Sequence, residues 1–140
     1  MIVVDASLTL AAFFHDERTP AVVAAFNSIA DVGAVVPAIW RLEVANGLQM
    51  SIRRNLIDTP FRDAALERLA ALPISIDTET NDHAWSATLR LAEEHGLTPY
   101  DAAYLELALR RSLPLATQDS AMTVAMAKAD VSAPTLATGT

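Results

Sequence analysis

The chain has 140 residues, 52% of them hydrophobic, which suits one compact domain spanning residues 1–140 with a real core. Its 10 basic and 17 acidic residues leave a formal charge of −7, unfavourable for non-specific nucleic-acid binding, which rests on basic surface. The lack of cysteine excludes disulfides and thiolate chemistry and points to a reducing, cytoplasmic setting, while Met1 to Asp5 is no signal peptide and no apolar run approaches the ~20 residues of a membrane span.

In chain order, residues 2–4 are a short β-branched run ending in Asp5 and read as a buried strand. Residues 7–14 look helical, and Pro20 starts another helix through about residue 32. Residues 34–36 form a second small strand before Pro37. A longer helix is expected over 38–55, with Ile39, Leu42, Ala45 and Leu48 on one face. Asp58-Thr59-Pro60 begins the next helix, which runs to about Leu72. Pro73 stops it, and 74–76 make the third strand. Residues 79–95 read as a single helix closed by Gly96. Residues 113–117 form a fourth strand and 119–128 a last helix. Residues 133–136 are either a fifth strand or a loose tail. Strands alternating with helices imply a three-layer α/β/α sandwich around a central, mostly parallel sheet of four to five strands.

Thr98-Pro99-Tyr100-Asp101 opens the helix between Gly96 and the fourth strand: Thr98 suits the N-cap, Pro99 the first helical position, and Asp101 a capping box. Tyr104, Leu105 and Ala108 follow Asp101 at helical spacing, so its carboxylate heads an apolar, core-facing stripe. Glu106, Arg110 and Arg111 lie on other faces. A carboxylate so placed is costly to bury unless a cation or hydrogen bonds hold it.

Three more acids fall where such a sheet binds ligands, outside the carboxyl ends of its strands. Asp5 directly follows the first strand, and Asp119 follows the strand that ends in Thr117. Glu43 stands one turn into the helix after the second strand, with the uncharged neighbours Ile39, Asn46, Gly47 and Met50. Each acid also has a plain reading: Asp5, Asp101 and Asp119 as helix caps, Glu43 as an exposed helix acid. Jointly, four carboxylates from separate parts of the chain would meet at one edge. They could crowd there only around a hard divalent cation such as Mg²⁺ or Mn²⁺, which selects oxygen ligands.

The stretches Val3-Val4-Asp5-Ala6-Ser7, Leu42-Glu43-Val44-Ala45-Asn46, Tyr100-Asp101-Ala102-Ala103-Tyr104 and Leu115-Ala116-Thr117-Gln118-Asp119 resemble, in order, the four acidic motifs of PIN-domain ribonucleases, and more closely those of VapC toxins from bacterial toxin–antitoxin pairs. The resemblance implies a Mg²⁺- or Mn²⁺-dependent endoribonuclease, the toxin of a type II toxin–antitoxin system. It further implies a homodimer inhibited by a small VapB-like antitoxin and meeting operator DNA only through that partner. On this resemblance Asp5, Glu43, Asp101 and Asp119 are the catalytic and metal-binding acids, with Thr117 as the hydroxyl of the last motif. Ser7 matches a small polar residue beside the first acid. The sequence departs from the pattern at Ser120, where a basic residue is common.

Hydrolysis by a metal-activated water would leave a 5′-phosphate and a 3′-hydroxyl, with Thr117 bonding that water or a ligand carboxylate. Arg53 and Arg54, and likewise Arg110 and Arg111, close their helices and either contact phosphates or complement the helix dipoles. His15, His83 and His95 lack metal-ligand spacing. Trp40, Trp85 and the Phe13-Phe14 pair read as core or interface residues. Two alternatives stand beside the nuclease. A receiver-type phospho-acceptor domain would want a second acid beside Asp5 and a lysine after a late strand, and Lys128 sits inside a helix instead. A non-catalytic PIN-like binding module would be expected to have lost one of the four acids.

Overall fold

A computed structural model of the chain describes residues 1–135. Four short strands, β1 (Ile2–Val4), β2 (Ala34–Val36), β3 (Ile74–Ile76) and β4 (Leu115–Ala116), form one sheet in the order β3-β2-β1-β4. All three pairings are parallel. Every residue of β1 and β2 is buried, so both faces of the sheet centre are covered, as expected for an α/β/α sandwich. At the β3 edge, Ser75 faces outward between two half-buried isoleucines.

Eight helices connect and cover these strands: α1 (Ala6–Ala11), α2 (Pro20–Val32), α3 (Trp40–Arg53), α4 (Thr59–Ala70), α5 (Thr80–His83), α6 (Ala87–His95), α7 (Pro99–Arg111) and α8 (Ser120–Ala129). Side-chain caps at Asp5, Thr19, Asp58, Thr98 and Asp119 each accept a backbone N–H of the first turn. Gly96, at φ 64°, ends α6 in the left-handed conformation that glycine adopts without strain.

Three expectations need correction. The buried stripe of α3 is Trp40, Val44 and Leu48, and Leu42 is exposed. The helix starts at Trp40, whose buried indole N–H donates to the Thr9 hydroxyl at 3.1 Å, and that anchor rotates Leu42 outward. The single helix over 79–95 is two. Thr80 pins the short α5, accepting from the Ala38 N–H at 3.0 Å and donating to Asp77 at 2.9 Å. The chain then turns at Ala84–Ser86 and leaves Trp85 almost fully exposed. Residues 133–135 form no strand, and Leu136 lies outside the described residues. Ser132 only lends its carbonyl to the Leu115 N–H at the β4 edge.

Helix α7 is buried without interruption from Ala102 to Ala108, including the charged Glu106. Glu106 is tolerated there because Arg110, one turn on, donates to both its oxygens at 2.8 and 3.0 Å. The same guanidinium donates to Asp77, just past β3, at 2.7 and 3.2 Å, and to Glu79 at 3.3 Å. One arginine therefore ties α7 to the end of β3 and the start of α5.

Burial alone would raise the Asp77 pKa, but hydrogen bonds from Arg110 and Thr80 outweigh it and hold the carboxyl below the usual range. A group depressed in the folded state stabilises in full above its unfolded pKa of about 3.9, and the gain is lost as pH falls through the lower folded value. Asp77→Asn should therefore lower stability by about 2 kcal/mol at neutral pH. In thermal melts its deficit should shrink steadily below pH ~4.

Candidate functional site

The parallel register sets Val4 against Ala116, and the Asp5 N–H donates to the Ala116 carbonyl at 3.1 Å. The turns that follow β1 and β4 are thus neighbours. Asp5 caps α1 through Oδ1, which accepts from the Leu8 N–H at 2.9 Å and the Ser7 hydroxyl at 2.7 Å. Its Oδ2 accepts from the Thr117 hydroxyl. Thr117 in turn accepts from the Asp119 N–H at 3.0 Å, and the Ser7 hydroxyl accepts from the Gln118 N–H at 3.0 Å. Asp119 caps α8 by accepting from the Met122 N–H at 2.8 Å. Beneath Asp5, Thr9 donates to its carbonyl at 2.8 Å and carries the Trp40 contact. The capping and clustering readings of Asp5 and Asp119 are therefore compatible: the caps fix where the carboxylates sit.

The other two acids enter from helices. Glu43 lies in the first turn of α3 and is half-buried, and its Oε1 accepts from the Tyr104 hydroxyl at 2.5 Å. Asp101 lies in the first turn of α7, where Thr98 accepts from its backbone N–H at 3.1 Å.

Burial pushes the carboxyls of Asp5, Glu43 and Asp101 above their ordinary pKa range, against hydrogen bonds that favour the charged form. Neighbouring carboxylates push the same way. The Asp101 charge raises Asp5 and Glu43, that of Asp5 raises Glu43, and that of Asp119 raises Asp101. All four acids named from the sequence thus share one electrostatic neighbourhood. Among the described residues no ion pair involves any of them.

The acids are gathered but not closed into a cage: among the described residues no three acidic or histidine side chains stand ready around a common point. The donor set nonetheless fits a hard divalent cation. It offers carboxylate oxygens whose mutual repulsion has no counter-charge, and such ions prefer oxygen ligands.

The sequence presents Tyr104 only within an apolar stripe and the motif around Asp101. The available signal was its spacing, one turn beyond Asp101 on a core face, where a buried phenol needs a polar partner. Burial and the Glu43 carboxylate push its pKa up, so it stays protonated and donates.

The arginine pairs separate. Arg110 is committed to three carboxylates, and Arg111 reaches the Met1 sulfur at the amino end of β1. Neither is placed for a phosphate beside Asp5. Arg54 instead lines an open groove of about 1470 Å³ that also holds Ser7, Gln118 and Asp119. Arg18 lines it as well, as do the acids Asp16, Glu17 and Asp58. Phe13 packs edge-on against the core ring of Phe26 at 5.4 Å, as expected of a core residue, whereas the exposed Trp85 does not.

A family model of the PIN domain matches residues 2–127. Ribonuclease VapC3 of Pyrobaculum aerophilum is 30% identical over 118 residues, covering 84% of this chain and 88% of its own. The crystal structure of PAE2754 from Pyrobaculum aerophilum superposes with a TM-score of 0.65 at 24% identity, over 89% of this chain and 78% of that one. That of FitAcB from Neisseria gonorrhoeae superposes at 0.64 with 22% identity, over 96% and 97%. These two likenesses bear on the fold, an α/β sandwich. With the family match over most of its length and the identity to a VapC ribonuclease, the chain belongs to the PIN domain family, in its VapC branch.

Proposed function

We propose that this chain is a divalent-metal-dependent endoribonuclease, the toxin of a type II toxin–antitoxin pair. The observation that carries the reading is the convergence of Asp5, Glu43 and Asp101, whose burial and mutual repulsion are offset by no basic side chain among the described residues. The similarity to Ribonuclease VapC3 supplies RNA as substrate class. Asp5, Glu43, Asp101 and Asp119 are the residues that would hold Mg²⁺ or Mn²⁺. Such an ion, when bound, supplies Lewis acidity, lowering the pKa of water and offsetting charge on the phosphodiester.

The chain's own residues set up that chemistry. Three donors fix the Asp5 carboxylate in one orientation, and Thr117 is the donor that links it to the Asp119 turn. The N-termini of α1, α7 and α8 carry Asp5, Asp101 and Asp119, and their positive dipole ends favour negative charge at that edge. The groove beside Ser7 and Asp119 provides a path for a single strand, with Arg54 and Arg18 as its phosphate contacts. Control by a small VapB-like antitoxin, a homodimer, contact with operator DNA only through the antitoxin, and a cytoplasmic setting complete the proposal. They rest on family membership. Among the described residues no helix is long and apolar enough to cross a membrane.

The decisive experiment is RNA cleavage by protein freed of any antitoxin, with Mg²⁺ or Mn²⁺ and with chelator. Cleavage should need the metal and leave 5′-phosphate and 3′-hydroxyl ends. No cleavage under any metal would favour the non-catalytic module.

Asp101→Asn should lose cleavage by at least about 100-fold while keeping the fold. In metal-free protein at neutral pH the same change should raise Tm by a few degrees, because it removes a charge that its surroundings disfavour. An unchanged cleavage rate would remove Asp101 from the mechanism.

Arg54→Glu should weaken RNA binding and reduce the salt slope of cleavage by about one phosphate contact. Arg110→Glu should lower Tm and leave that slope alone, since Arg110 serves the ion cluster. An unaltered slope in Arg54→Glu would rule out the groove as the RNA path.

A further inference from the structure

We propose that Tyr104 is a positioning residue for Glu43, fixing that carboxylate from within the core so that it can serve a bound divalent cation. The proposal deepens the nuclease reading and rests on it for the identity of the ligand.

The geometry is specific. The Tyr104 side chain is 1% exposed on the uninterrupted buried stretch of α7, so the ring has little freedom to move. Its hydroxyl meets Glu43 Oε1 at 2.5 Å across 61 positions of sequence. Glu43 is itself only half-buried, on the first turn of α3, and no other hydrogen bond among the described residues engages its carboxylate. A glutamate has three rotatable side-chain bonds, and an unrestrained one would sample many rotamers. The phenol occupies one carboxylate oxygen, and among the described residues the second has no protein donor.

The arrangement also joins two of the four acids mechanically. Asp101 and Tyr104 are one turn apart on α7, and Glu43 heads α3, so the bond ties the Asp101 helix to the Glu43 helix at the site itself. Asp5 reaches the same order by a different route, through Ser7, Leu8 and Thr117. Among the described residues the Glu43 carboxylate has Tyr104 alone. Groups that orient a metal-binding carboxylate in this way typically govern metal affinity by 10–100-fold.

A purely structural account would treat the contact as the phenol finding an acceptor in the core. The two accounts differ in what Tyr104→Phe changes. If Tyr104 positions Glu43, calorimetric affinity for Mn²⁺ falls by about tenfold and kcat for RNA falls similarly, with the RNA KM little altered. The losses in Tyr104→Phe and Glu43→Gln should then be non-additive in the double variant. A Tyr104→Phe protein that binds Mn²⁺ as the parent does, whatever its Tm, overturns the assignment.

A second measurement covers a misfolded variant. The chain has only two tyrosines, so in Tyr100→Phe protein labelled with 3-fluorotyrosine the one fluorine resonance reports Tyr104. A Mg²⁺ titration should shift that resonance saturably, and a resonance unmoved by saturating Mg²⁺ overturns the assignment. Parent protein that binds Mn²⁺ but cuts no RNA would remove the nuclease reading and leave Tyr104 to be decided by calorimetry. Parent protein that binds neither ion would overturn both.

Discussion

Negative charges collected at one edge of a small parallel sheet must be held there by something, and in this protein neutral donors do the holding. Asp5 is the extreme case, with 4% of its surface exposed. An ionised carboxylate in such a place is destabilising unless its oxygens are satisfied, and a buried basic partner is the usual remedy. Here the remedy is a backbone N–H, two hydroxyls and the amino end of a helix. Neutral donors stabilise the charge without cancelling it. The edge therefore keeps its negative charge, whereas an arginine beside Asp5 would have neutralised it.

That solution depends on strand register. Asp5 meets Thr117 because Val4 is paired with Ala116 and the Asp5 N–H bonds the Ala116 carbonyl. Side chains alternate between faces along a strand, so a shift of β4 by one residue would turn Thr117 away and leave Asp5 Oδ2 without a donor. Val3, Val4, Leu115 and Ala116, all buried, resist such a slip. Core packing and site geometry are in this sense one constraint.

Much of this was legible in the residues themselves. Asp5, Asp58, Thr98 and Asp119 announce helix starts by residue type, and all four cap as expected. The strands betray themselves as short β-branched runs between turns. What the sequence hides is rotation and partnership. The α3 stripe is ambiguous in the sequence because Leu42 and Val44 are both apolar, and the Trp40–Thr9 bond, across 31 positions, decides which of them faces inward. The break at Ala84–Ser86 has no glycine or proline to mark it; it follows from Thr80 being held by Asp77 and Ala38. Arg110 looks like any cation near a helix end, and its three acidic partners lie partly in residues 77–79, on a distant stretch of chain. Tyr104 was hidden in the same way, by a partner 61 residues off.

Helix α7 shows how stability and function are kept apart within one element. Near its carboxyl end, Glu106 and Arg110 form a fully paired cluster with Asp77 and Glu79, and charge there fastens the helix to its neighbours. At its amino end Asp101 has no basic partner among the described residues, and burial and the Asp119 charge raise its pKa. Seven buried residues between the two ends make the helix stiff enough to carry one constraint to the other. The strain of gathered like charge is thus tolerated at the head of α7 because the tail is anchored, and Tyr104, between them, lies where the anchored part of the helix can hold Glu43 in place.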